Sequence, residues 1–311
     1  MKTVEILHKY IKNKDVKMNK ISATKLMTIL LFVSFVSLSA QERNEEPVTF
    51  NKISEHLYEI TGGRGARSGA YIGDNGVLII DSKMTKQSVD QILNELKKIT
   101  DKPIRYLVNT HSDGDHVNGN PFFPTSVTII AHENCRKEFF HETRDGDPSR
   151  WNDPEMKQFI PSLTFTENLN IYLGSKKIEL WYFGIGHTTG DIVVYFPEEL
   201  TAFIGDQIFL NRPQLIHSYK GGNSFRHVET LTKMLETLDA QQFCSGHSSM
   251  TDHEGIRNHI EKIKGYQKKV KELIHCEKTL EEILKEFKDE EDRIVTTIYN
   301  ELQEKSEIEN K

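Results

Sequence analysis

From residue 47 onward the apolar positions of this chain fall into short β-rich runs separated by turn residues: HLYEITGG, SGAYIG and GVLIID. Asp74-Asn75-Gly76 lies between the last two and predicts a hairpin turn, since Asn and Gly tolerate the positive φ such turns need. The pattern then changes period. SVDQILNELKKIT sets Val89, Ile92, Leu93 and Leu96 at helical spacing, and IRYLVNT follows as a buried strand. Further runs predict strands in SVTIIAH, KKIELWYFGIG, DIVVYF, LTAFIGD and QQFCSGH. Three of these end in His or Asp, two of them after a Gly. Side chains delivered from several strand ends to one sheet edge would form a site on a rigid frame.

Between the runs, residues 145–161, with Pro148, Trp151, Pro154 and Pro161, predict a long surface loop, and 211–223 a second irregular stretch. Val228, Leu231, Met234 and Leu235 then mark a helix, capped by Asn223 or Ser224. Past Thr251 the chain is charged and helical, with an apolar stripe of Leu280, Ile283, Leu284 and Phe287. That stripe predicts helices packed on the outside of the core, with a homodimer seam as the other reading. The expected division is a signal peptide over 1–40, a main domain over 41–250 and a helical extension over 251–311.

The N-terminal expectation rests on a Lys-rich stretch before the apolar run Leu26 to Leu38 and the small residues Ser39 and Ala40. The run is short for a membrane span, so cleavage near Ala40, with no retained anchor, and a periplasmic or secreted protein are expected. Met18 is an alternative start, and Gln41 stands where lipid attachment would need Cys. The whole chain has 40 basic and 46 acidic residues, a net charge of −6. Residues 1–40 hold 7 Lys and 2 acids, which leaves 33 against 44, or −11, for the remainder. That balance disfavours a polyanionic partner such as nucleic acid, and the expected partner is a small-molecule substrate. Three cysteines, Cys135, Cys244 and Cys276, are too few and scattered for a thiolate zinc site, although one pair could bridge.

The chemistry concentrates in THSDGDHVNGN, which places His111, Asp113, Asp115 and His116 within six positions. One such turn can serve two metals about 3.5 to 4 Å apart. Distal partners are His187 in GIGHTTGD, Asp206 in FIGDQIF and His247 in CSGHSS. This set resembles the metallo-β-lactamase superfamily, whose loop reads His-x-His-x-Asp-His and is followed by Gly-His, Gly-Asp and Gly-His. The resemblance implies an α/β four-layer fold, an αββα sandwich. It also implies a metal-dependent hydrolase in which hydroxide shared between two divalent ions attacks a carbonyl or phosphoryl centre. By position, His111, Asp113 and His187 would hold the first metal, Asp115, His116 and His247 the second, with Asp206 bridging. Asp115 or water would protonate the leaving group, and Asp81 would steady the ligand loop. Asp206, where the commonest lactamase subclass carries Cys, looks more like the glyoxalase II and lactonase branches.

Asp113 departs from the family's His. It gives the seven ligands three negative charges rather than two, so with hydroxide and two divalent ions the centre is expected to be formally neutral. On that count Asp113→His should raise zinc affinity at the first site. Zinc is the expected ion, with Mn or Fe admitted by the extra oxygen ligand. His217, Tyr219 and Lys220, in QLIHSYKGGNSF, are candidates for orienting substrate. GGRGARSG lacks the phosphate-loop ending and predicts a flexible hairpin tip near the metals, where Arg64 or Arg67 could meet an anion. His132, His141 and His227 read as structural, and Cys244 as a core thiol. The substrate is expected to be an ester, lactone, thioester or amide. A β-lactam hydrolase, a catalytically degenerate metal-binding protein and a single-iron redox enzyme stand as alternatives.

Overall fold

The structure is a computed structural model that describes residues 45–309. The N-terminal export segment expected over 1–40 lies outside the described residues. In chain order the elements that frame the site are β1 (Thr49–Lys52), β2 (Leu57–Thr61), β3 (Ser68–Ile72), β4 (Val77–Ile80), α1 (Lys86–Ile99), β5 (Ile104–Val108), α2 (Gly114–Val117), β6 (Thr128–His132), α3 (Glu133–Glu138) and β7 (Leu163–Phe165). They continue with β8 (Asn168–Leu173), β9 (Lys176–Trp181), β10 (Val193–Phe196), β11 (Thr201–Phe203), α4 (Ser224–Thr237), β12 (Gln242–Cys244), α5 (His253–His275), α6 (Leu280–Leu284) and α7 (Asp292–Glu309).

Strands β1 to β7 form one sheet in sequence order, antiparallel up to β4 and parallel from β4 to β7. The second sheet runs β12-β11-β10-β9-β8, with β11 and β12 parallel. β4 explains how a four-residue run can be apolar throughout. Leu78 and Ile80 enter the core between the sheets, against Ile171, Leu180, Val194 and Phe203 of the second sheet. Val77 and Ile79 face the other way, onto Val89, Ile92 and Leu96 of α1. A strand covered on both faces loses the polar alternation of an exposed one. The second sheet behaves likewise: Val193, Tyr195, Ala202 and Phe243 pack beneath Leu231 and Met234 of α4 and Ile256 and Ile260 of α5. The layers are therefore helix, sheet, sheet, helix.

The C-terminal apolar stripe is spent within the chain. Ile283, Leu284 and Phe287 join Tyr266, Val270, Ile294 and Ile298, and this cluster also takes in Ile216 from the segment before α4. The C-terminal helices thus pack directly behind a loop that borders the site. Asn223, rather than Ser224, caps α4, accepting from the amides of Phe225 and Arg226.

Two expectations change. Residues 145–161 are not a plain loop: short 3-10 turns at Arg150–Asn152 and Pro154–Phe159 are capped by Ser149 and Asp153, and Trp151 is buried on Phe139 at 4.8 Å between ring centroids. Turns of this length leave no periodic trace in a sequence. The three cysteines are free, Cys135 and Cys244 buried and Cys276 exposed, so no disulfide pairs them. Among the described residues no helix is long and apolar enough to cross a membrane.

Candidate metal centre

The centre lies where strands of both sheets end. Asp81 follows β4, residues 109–117 follow β5, His187 sits between β9 and β10, Asp206 follows β11 and His247 follows β12. Local backbone chemistry fixes two of these junctions. Gly205 has φ +53, which glycine adopts without strain, and a Cβ on Gly246 would collide with the Asp206 carboxylate. Glycine is therefore required before Asp206 by the backbone conformation and before His247 by packing.

All seven predicted ligands meet. Donor atoms of His111, Asp113, His187 and Asp206 form one cluster, and those of Asp115, His116 and His247 another, each with its members within 4.8 Å of one another. Asp206 stands between them. Its Oδ2 is 3.9 Å from both His111 Nε2 and His187 Nε2 and 3.3 Å from His247 Nε2, while Oδ1 is 3.1 Å from His116 Nε2. Asp115 Oδ2 lies 2.9 Å from His247 Nε2.

Three imidazoles have their other nitrogen committed. His116 Nδ1–H donates to Asp81 Oδ2 at 2.7 Å and His187 Nδ1–H to the Leu215 carbonyl at 2.7 Å. Thr110 Oγ1–H donates to Asp81 Oδ2 at 2.8 Å, so the same oxygen is left to accept from His111 Nδ1–H at 3.1 Å. Each ring then turns an Nε2 lone pair inward, the arrangement that presents histidine to a cation. Asp81 also accepts from the Thr110 amide at 2.8 Å and holds a left-handed backbone, φ +56, that aims its carboxylate at the loop.

Whether these residues suit cations is tested by what remains unsatisfied. His111 Nε2, His116 Nε2 and Asp206 Oδ1 are buried with no hydrogen-bond partner. Buried polar atoms are rarely left so, and imidazole nitrogens beside carboxylate oxygens are a donor set that zinc accepts. The protein groups also polarise one another. Burial alone would push His187 down, but Asp113 and Asp206 outweigh it and hold it up at about 9. Burial likewise opposes the ionised form of Asp206, yet His116, His247 and His111 keep its carboxyl well below the usual range.

A cavity of about 660 Å³ opens over these donors, lined by Asp115, Asp206, Arg212, His247 and Arg293 among others. A model of the metallo-beta-lactamase superfamily matches residues 61–247, a span that contains all seven of these donor residues. The chain belongs to that superfamily. It is 22% identical to metallo-beta-lactamase type 2 of Elizabethkingia meningoseptica over 255 residues, which is 78% of this chain and 96% of that protein. It is 28% identical to the alpha subunit of 2,4-dinitroanisole O-demethylase of Nocardioides sp. (strain JS1661) over 168 residues, 53% of this chain and 48% of that one. In fold it resembles the solved metallo-beta-lactamase from Pontibacter korlensis, with a TM-score of 0.59 and 17% identity over 70% of this chain and 99% of that chain. It is thus a metal-dependent hydrolase of that superfamily, with the αββα fold the sequence predicted.

Relative to the superfamily pattern, the residues expected to touch substrate divide. Lys220 is buried, and its ammonium donates to Asp113 Oδ1 at 2.6 Å and Ser112 Oγ at 2.8 Å. Burial works against its charge, but Asp113 outweighs burial and keeps its pKa above the ordinary lysine value. His217 Nε2 lies 2.9 Å from Asp113 Oδ2. His217 also lines the cavity over the donors, whereas Tyr219, 43% exposed, lines two neighbouring cavities instead. The charge count made from the seven ligands alone is therefore corrected. Three carboxylates and the one ammonium bonded to them leave two net negative charges rather than three, the number a neutral imidazole at position 113 would give. Asp113→His alone would leave the buried Lys220 ammonium without its carboxylate partner.

The hairpin tip is also tied down. Ala66 N–H donates to the Asp115 carbonyl at 3.1 Å and Arg67 N–H to the Gly246 carbonyl at 2.8 Å, and the buried Lys83 ammonium donates to the Ile60 and Ala66 carbonyls. Arg67 is paired with Glu59 at 2.9 Å, which removes it as an anion contact. Of the histidines set aside, His132 caps α3 and stacks on Tyr182, and His227 is fully buried. Sequence reasoning missed Ser112, although it stands inside the motif, and Glu138, Arg212 and Arg293, which carry no local signal. Arg212 lies over the Phe209 ring at 4.1 Å, and that ring stacks on His247 with centroids 5.6 Å apart.

Proposed function

We propose that this chain is an exported dinuclear hydrolase that uses zinc to cleave an ester, lactone, thioester or amide in a small molecule bearing an acidic group. The observation that carries the reading is the two donor clusters, with Asp206 of the first also within 3.1 Å of His116 and 3.3 Å of His247 in the second, and three buried donor atoms that no protein group satisfies. Two divalent ions held there supply a water of lowered pKa and positive charge for a developing oxyanion.

The chain's own residues supply the rest. His111, Asp113 and His187 would hold one ion and Asp115, His116 and His247 the other, with Asp206 placed to serve either. Asp115, with a side chain 30% exposed, places Oδ2 in the donor cluster, which leaves Oδ1 to carry a proton from the attacking water to the leaving group. Arg212 and Arg293 line the same cavity and have no carboxylate partner among the described residues, which supports an acidic substrate. Export is supported by the basic stretch and apolar run of residues 1–40.

The named relatives act on different compounds, and the fold hosts many chemistries, so the bond type rests on the site alone. A β-lactam substrate is the second reading, favoured by the relative named metallo-beta-lactamase type 2 that matches across 78% of this chain. The test is elemental analysis of purified protein, followed by chromogenic esters, a thioester, a lactone and a cephalosporin on protein reconstituted with Zn, Mn or Fe. Two ions per chain and chelator-reversible hydrolysis are expected. At most one tightly held ion, or no turnover of any substrate, would overturn the proposal.

A further inference from the structure

Asp113 divides its two oxygens between different neighbours. Oδ2 faces the donor cluster, 3.0 Å from His187 Nε2 and 3.5 Å from His111 Nε2, and also lies 2.9 Å from His217 Nε2. Oδ1 faces the other way and is held by Lys220 Nζ at 2.6 Å. The lysine is itself fixed from behind. It donates to Ser112 Oγ at 2.8 Å, the Ser112 hydroxyl donates to Glu138 Oε2 at 2.5 Å, and Glu138 Oε1 accepts from Thr189 N–H at 2.9 Å and Thr189 Oγ1–H at 2.6 Å. Lys220, Ser112 and Glu138 are all buried. An ammonium locked in such a chain is not free to swing into the cavity and meet a substrate.

We propose that Lys220 is a positioning residue that turns Asp113 into a one-oxygen, charge-compensated metal ligand, so that the Asp113–Lys220 pair stands in for a single neutral imidazole. The proposal rests on the dinuclear reading above. A carboxylate with both oxygens free can bind a cation through either or both and brings a full negative charge. With Oδ1 occupied by an ammonium, only Oδ2 is presented, and the net charge near the cations matches that of an imidazole ligand. Ser112 and Glu138 keep the ammonium at that distance, which a flexible lysine would not hold alone.

The test measures zinc stoichiometry and first-site affinity by chelator competition on full-length wild type, K220M, K220R, D113H and D113H/K220M. K220M frees the second oxygen and the full charge of Asp113, so first-site affinity is expected to rise about tenfold or more, with two ions still bound. K220R, which keeps the positive charge, is expected to stay near wild type. D113H leaves the ammonium facing cations with no counter-charge and is expected to lose about tenfold or more, which D113H/K220M recovers. Affinity unchanged or reduced in folded K220M would overturn the inference. Should K220M fail to fold, D113H decides: binding zinc at the first site as tightly as wild type overturns it. A wild type that takes up at most one ion removes the dinuclear reading, and this inference with it. Normal uptake with indifferent variants removes the inference alone.

Discussion

Asp81→Asn isolates the residue that aims a metal ligand without being one. Asn keeps the shape and tolerates the left-handed backbone at φ +56, so the turn should survive where Ala would add strain. Its carbonyl can still accept from the Thr110 amide, 2.8 Å away, but an amide NH2 replaces the oxygen that accepts from His116 Nδ1–H at 2.7 Å. Two donors then face each other. Either the bond is lost, or His116 adopts the other tautomer and points a hydrogen from Nε2 at the second metal position. A charge-assisted hydrogen bond of this kind contributes about 1.5 to 3 kcal/mol. The group is buried, so water does not replace it, and His116 is completely enclosed. Passed on to the ion that His116 holds, the loss corresponds to about 10- to 100-fold weaker binding at one site. The first site is reached only at one remove, through Thr110, whose hydroxyl donates to the same Asp81 oxygen and accepts from His111 Nδ1–H, while Nδ1 of His187 stays held by Leu215, so a smaller loss is expected there. Zinc titration against a chromophoric chelator resolves the two sites, and circular dichroism checks the fold. Wild-type affinity at both sites in folded D81N would refute the claim that Asp81 acts through His116.

Further outcomes follow from the same geometry. Burial opposes protonation of His187 and His247, but the facing carboxylates outweigh it and raise each to about 9. Both folded values exceed the unfolded value of about 6.5, so this stabilisation of the metal-free protein is complete below about pH 6.5 and lost as pH rises through 9. Zinc affinity should strengthen over the same interval as protons cease to compete; a flat affinity or a rising apoprotein Tm would contradict this. His259 behaves oppositely: burial, then Lys262, pushes it down to about 4. The unfolded chain takes up that proton first, so stability falls as pH drops from about 6.5 towards 4, by at most about 3 kcal/mol. His259→Leu should flatten the acid limb of the Tm profile, and parallel profiles would refute the assignment. Arg293→Ala should raise KM about tenfold for an ester carrying a carboxylate, while leaving kcat, metal content and KM for a matched neutral ester unchanged; an equal effect on both esters would show that the cavity does not read charge.

Much of the molecule was legible as a string. The apolar runs of β4 and β5, the spacing of Val89, Ile92 and Leu96, and the seven ligand-type residues after strand ends all follow from local pattern, because periodicity reports which faces are covered. The short capped turns around Trp151 were not legible, since 3-10 turns of three and six residues are too short to show a period. Nor was the partner of Asp113.

What the sequence alone determined is therefore the run of strands and helices, the inventory of donors and the odd carboxylate among them, while the layering followed from the resemblance those motifs carry. What that carboxylate does was decided by tertiary structure. Lys220 stands 107 residues away and reads locally as a loop residue beside Tyr219. Glu138 lies on a separate short helix, and Arg293 on the last one. A local pattern records whether a side chain meets water or core, whereas the charge seen by a metal ligand depends on which distant loops the two sheets bring together. At 2.6 Å an ammonium changes the net charge of that ligand, and only the packed chain puts it there.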